Sequence, residues 1–390
     1  MNVNIPVYLD NNATTPVDPR VVEVMLPYFS EKYGNPSSKH TFGYIANAAV
    51  DFAREQIANL INADKSEIYF TSGATESINI IHFGIADALF HKGNHIISSD
   101  VEHSASYESL IQLQKKGFDV TFLKCDNKGF IHPEQILNAT RPETILVTLI
   151  AANNEIGTVN NIKEIGKICR SNNVLFHTDA TQAIGKIKFD VQDYNVDFVS
   201  FSSHKLYGPK GIGGLFIRKG LEKKITPLVF GGGQEKGIRP GTLNVPAIVG
   251  FGKAAELCNQ EFDKDFNHTK RLRDHLFKTL VSSLEFVSLN GDKDNRLPGN
   301  LNLLIKGVRA DSLIANLRDI AFSAGATCSS ESGKPSRILK AIGLNDEDSK
   351  CCIRIGIGRF NTMSEINYAA EKFIEEITKL RLKFNYQSTI

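Results

Sequence analysis

Seven short apolar runs, at 67–71, 94–98, 119–123, 144–150, 174–178, 197–201 and 214–218, recur through the first two-thirds of the chain. Helical-period segments such as 77–89 separate most of them. Runs without polar alternation that are spaced by helices predict an α/β protein, with a mainly parallel seven-stranded sheet covered on both faces. Ligands of such sheets bind beyond the carboxyl ends of the strands. Two polar segments fall at those ends, His177-Thr178-Asp179-Ala180-Thr181-Gln182 and Ser202-Ser203-His204-Lys205.

The pattern changes near residue 260. Phe262, Phe266, Leu276, Phe277, Leu280 and Leu284 recur at helical spacing among charges, and 289–295 reads as a polar turn. Strands are expected at 300–305 and 353–357, followed by a last amphipathic helix capped by Ser364. This gives a large domain over 15–260, with 1–14 and 261–390 forming a smaller α+β domain.

Lys205 follows Asp179 by 26 residues, one strand later. A lysine able to form a Schiff base, near an acid that pairs with a pyridinium nitrogen, is what pyridoxal phosphate requires. A solvated lysine and a helix-capping aspartate are the ordinary alternatives. Against them, Lys205 is followed by the small, glycine-rich stretch 208–214, where something must approach the backbone closely.

Other segments fit the same reading. Thr71-Ser72-Gly73-Ala74-Thr75-Glu76-Ser77 joins a strand to a helix, and backbone N–H groups there suit a phosphate, although a plain helix cap explains them as well. His103 follows the second run, where an imidazole would face the same crevice. Arg354 stands in an apolar run and, if buried, must meet a carboxylate from the protein or from a substrate. Cys328 lies among small polar residues on an expected loop, placed to react, whereas Cys125, Cys169, Cys258, Cys351 and Cys352 sit in or beside patterned elements and read as packing.

Composition narrows the partners. Forty-five basic against forty-three acidic residues give a net charge of +2, which favours small substrates over nucleic acid or anionic membrane. There is no apolar stretch of membrane-spanning length, no signal-peptide pattern at the start, and no C-x-x-C spacing, so a reducing cytoplasm is expected and a zinc site is not.

Taken together, the ordered segments 8–16, 34–38, 71–77, 153–157, 177–182, 202–214, 239–242 and the Cys328 loop resemble the cysteine desulfurases of the NifS/IscS type. These form part of the class V aminotransferase group of fold-type I pyridoxal phosphate enzymes. The resemblance covers essentially the whole chain. It implies that Lys205 is the Schiff-base lysine, Asp179 the partner of the ring nitrogen, Gln182 a contact of the phenolic oxygen and His103 a stacking partner. Thr75, Ser202 and His204 would hold the phosphate, joined by Thr242 from the other subunit of a homodimer. Asn154, which is also expected near the cofactor, and Arg354 would take the carboxylate of L-cysteine. Cys328 would accept its sulfur as a persulfide, releasing alanine and passing the sulfur to an iron-sulfur scaffold or thiolation enzyme. Selenocysteine lyase or a small-molecule aminotransferase of the same fold is the alternative. Pro240, Ser203 and Ala326-Thr327 depart from common family choices, and the chain stops at Ile390 without the longer tail of some relatives, but no group the chemistry needs is missing.

Overall fold

The computed structural model describes residues 3–325 and 336–387. A short strand β1 (Val7–Tyr8) opens the chain, and the seven expected runs become β2 (Ile68–Thr71), β3 (His95–Ser99), β4 (Asp119–Leu123), β5 (Thr144–Ile150), β6 (Leu175–Asp179), β7 (Phe198–Ser202) and β8 (Gly213–Ile217). These seven form one sheet in the order β2-β8-β7-β6-β5-β3-β4. All pairs from β4 through β7 are parallel, while β8 runs antiparallel to β7 and β2. The reversal has a simple cause: residues 203–212 are too few for the helical crossover that a parallel return demands.

Every strand but the edge strand β4 buries both faces, which is why most of the runs read as continuously apolar. Phe70, Ile97, Val147, Phe176, Val199 and Phe216 point into one core, where Val50, Ile165 and Phe251 of the helices Thr41–Leu60, Ile162–Ser171 and Val245–Gln260 meet them. Their strand neighbours Tyr69, Ile96, Leu146, Phe198 and Leu215 point the other way, onto Ile81, Ile85 and Leu110 of the helices Ala74–Leu89 and Ser104–Lys115.

A second, separate core lies in the last third. Strands β9 (Val287–Leu289), β10 (Asn300–Ile305), β12 (Ser323–Ala324) and β13 (Cys352–Gly356) make an antiparallel sheet ordered β12-β13-β10-β9, while β11 (Ile320–Ala321) pairs in parallel with β1. Leu276, Leu303, Ile355 and Phe373 pack there together with Val7 and Leu9 from the start of the chain. The final helix, Met363–Gln387, is capped differently from expectation. Thr362 Oγ1 accepts from the Glu365 amide at 3.2 Å and Glu365 Oε2 accepts from the Thr362 amide at 2.8 Å. This reciprocal capping box fixes the helix start just before Ser364.

Candidate active site

The carboxyl ends of β5 and β6 are level, because Ile150 pairs with Asp179, and β7 runs two residues beyond Ser200, the partner of Asp179. A cavity of about 510 Å³ opens at that edge. Thr75, His103, Asn154, Asp179, Gln182, Ser202, His204, Lys205 and Arg354 all line it. Thr242 is exposed and does not line it, and Cys328 lies outside the described residues.

Each side chain owes its place to a local device. Asp179 ends β6, is only 3% exposed, and its Oδ1 accepts from the Thr181 amide at 2.9 Å. It therefore makes the turn a capping aspartate would make, yet it is buried and faces the cavity. Lys205 ends the 3₁₀ turn after β7, and its Nζ donates to Asn12 O at 2.7 Å and to Ala13 O. Gln182 Nε2 donates to that same Asn12 carbonyl at 2.8 Å. The chain's opening segment thus walls the site, with Asn12, Ala13 and Thr14 in the lining.

His103 caps the helix Ser104–Lys115, its Nδ1 accepting from the Ala105 amide at 3.1 Å. Burial lowers its pKa, only partly opposed by Asp179, so the neutral ring carries its proton on Nε2. His204 shares a hydrogen bond with Thr14 Oγ1 at 3.1 Å, and burial beside Lys205, Lys210 and Lys186 pushes it down to about 4. Gly73, Ala74 and Thr75 line the cavity at the start of the 16-residue helix Ala74–Leu89, whose first N–H groups have no partner within the helix. Gly213 makes room for that turn: a Cβ on it would lie 2.5 Å from Gly73 Cα.

Arg354 is 2% exposed and does meet a carboxylate, Asp10 Oδ1, at 2.9 Å. Its Nη1 reaches Asn154 O at 3.4 Å. Asn154 Oδ1, Thr181 Oγ1 and Arg354 Nε are buried, belong to lining residues, and have no hydrogen-bond partner among the described residues. Groups of this kind call for an outside partner. Among the described lining residues Lys205, Lys210 and Arg354 outnumber the carboxylate Asp179, and the lining is net positive. An amine, a carboxylate, a helix N-terminus and a positive lining around a volume of this size fit pyridoxal phosphate.

Asn12, Ala13, Thr14, Lys210 and Glu102 have no role assigned from the sequence, although 8–16 and 208–214 stand out there. Glu102 is wholly buried beneath His103, its Oε1 accepting from Ser99 Oγ at 2.6 Å and the Ile150 amide at 2.9 Å. Burial, with Asp179 near, raises its pKa to about 8, so the acid is neutral at pH 7. A carboxyl raised on folding contributes fully below its unfolded pKa, and that contribution is lost as pH rises toward the folded value. Glu102→Gln should therefore gain stability over the parent progressively between about pH 5 and 8, by a few kcal/mol at most, in thermal melts across that range. A constant difference across pH would contradict this.

The aminotransferase class-V family profile matches residues 7–368. The cysteine desulfurase IscS of Rickettsia typhi is 48% identical over 381 residues, covering 97% of this chain and 93% of that protein. A solved NifS-like protein superposes with a TM-score of 0.89 at 37% identity, covering 95% of this chain and 99% of that one. SspA, solved in complex with cysteine, superposes with a TM-score of 0.81 at 36% identity over 91% of this chain and all of its own. With this profile and these relatives spanning nearly its whole length, the chain belongs to the class-V aminotransferase family of pyridoxal phosphate-dependent enzymes.

Proposed function

We propose that this protein is a cysteine desulfurase, converting L-cysteine to L-alanine and retaining the sulfur as a persulfide on Cys328. The observation that carries the reading is the meeting of Lys205, Asp179, Asn154 and Arg354 in one cavity. The IscS relative and the cysteine-bound SspA support it.

Pyridoxal phosphate, when bound, supplies an electron sink for bond breaking next to the substrate amine. Lys205 holds it through Nζ, and Asp179 keeps a proton on the ring nitrogen, a role suited to a buried carboxylate facing a cation. Thr75, Ser202 and His204 would hold the phosphate, Gln182 would contact the phenolic oxygen, and His103 would stack on the ring as a neutral imidazole. Arg354 and Asn154 orient the substrate carboxylate. The Cys328 thiolate attacks the substrate sulfur, so an S–S bond forms as the C–S bond breaks. L-Cysteine and a thiol give L-alanine and a persulfide, which balances without an external oxidant.

Thr242 joins the phosphate site of a second copy, making the working unit a homodimer. Its exposure outside its own cavity, and the apolar surface presented by Phe29, Tyr33 and Phe230, the last 84% exposed, support that arrangement. The persulfide passes to an iron-sulfur scaffold or thiolation enzyme in a reducing cytoplasm, and the two domains divide at 14/15 and 260/261. No described helix is long and apolar enough to cross a membrane. Cys328→Ser should keep the yellow cofactor yet release no alanine from L-cysteine, while mass spectrometry of the parent should find added sulfur on Cys328. Normal turnover in that variant would sink the assignment.

A further inference from the structure

Lys186 lies one helical turn beyond Gln182 and donates from Nζ to Gln182 Oε1 at 2.6 Å. That bond decides the amide's orientation. With Nζ donating to Oε1 and the Asn12 carbonyl able only to accept, the amide oxygen faces Lys186 and the NH₂ faces the other way. On that other side, Nε2 donates to Asn12 O, the carbonyl that also takes Lys205 Nζ. Gln182 lines the main cavity, whereas Lys186 lies behind it, lining a second, smaller recess with Asp265 and Tyr207. We propose that Lys186 is a positioning residue: by holding Gln182 Oε1 it presents the amide's donor side to the phenolic oxygen of the cofactor.

The inference rests on the pyridoxal phosphate reading and adds a residue to it. A donor aimed at the phenolic oxygen favours its anionic form and makes it a weaker base. Lys186 shares its recess with Asp265 and Tyr207, and Lys205 and Arg354 lie within electrostatic reach. Burial first, then Lys205, push its pKa down to about 7, with Cys258 opposing and Arg354 adding to the shift.

The test uses holoenzyme and two readouts other than turnover: the midpoint of the spectrophotometric pH titration of the bound cofactor, and the dissociation constant of pyridoxal phosphate from reconstituted apoenzyme. In Lys186→Met the amide keeps only its Nε2 bond to Asn12 O, its donor side is held less firmly and the phenolic oxygen regains basicity, so the midpoint should rise by about one unit. Cofactor affinity should fall about tenfold, the worth of one hydrogen bond to a charged group. Lys186→Gln, which retains an N–H donor, should restore most of both. In a Gln182→Ala background the Lys186→Met change should move neither. A parental midpoint and affinity in Lys186→Met would overturn the proposal, as would a shift that persists undiminished without Gln182. Should Lys186→Met not fold, a Lys186→Gln protein with the parental midpoint supports the proposal and one with a shifted midpoint opposes it. Failure of the pyridoxal phosphate reading is distinguishable, since the parent protein would then take up no pyridoxal phosphate.

Discussion

Lys205→Ala is expected to release alanine from L-cysteine at least about 10⁴-fold more slowly than the parent, because the amine proposed to hold the cofactor, at the end of the turn after β7, is lost. The fold should survive. Lys205 Nζ donates to two backbone carbonyls, Asn12 O and Ala13 O, and Gln182 Nε2 remains on the first of them. Lys205→Arg should be equally inactive, since it keeps the charge and loses the nucleophile. A parental rate of alanine formation in either variant, measured on protein with an unchanged melting temperature, would remove Lys205 from the chemistry.

Arg354→Ala should show two separable losses. Asp10 keeps its place beside β13 but loses its cation, a loss of about 3 kcal/mol in stability by denaturant titration. The KM for L-cysteine should rise at least about 100-fold, because a charge-assisted contact to the substrate carboxylate disappears. The double variant Asp10→Ala with Arg354→Ala tells the two apart. It should regain most of the stability, having no stranded charge, and still bind substrate poorly. A double variant with a parental KM would leave Arg354 as a partner of Asp10 and nothing more.

Much of this was visible in the residues themselves. The seven strands were legible because a sheet covered on both faces leaves apolar runs without polar gaps, as at Thr144–Ile150, where every residue is buried. The direction of β8 was not, since apolar runs carry no sign and only the short 203–212 link betrays the reversal. Arg354 announced a carboxylate by its apolar company, but nothing in the sequence singled out Asp10, 344 residues away by the register of bond partners. The cap of the last helix was read two residues late because Ser364 and Thr362 are chemically alike, and only the reach of Glu365 back to Thr362 decides between them. Lys186 gave no signal of its own. A lysine four residues after a glutamine is ordinary until the turn brings the two side chains together.

The first strand has a bearing on how the enzyme is made. Val7 pairs with Ile320 and Asp10 with Gly356, so the opening residues leave the ribosome long before their partners exist. Contacts this distant are slow to close. The segment that walls the crevice is therefore joined to β11 and β13 only once the last third of the chain has been made, so that its full anchorage is a property of the completed molecule.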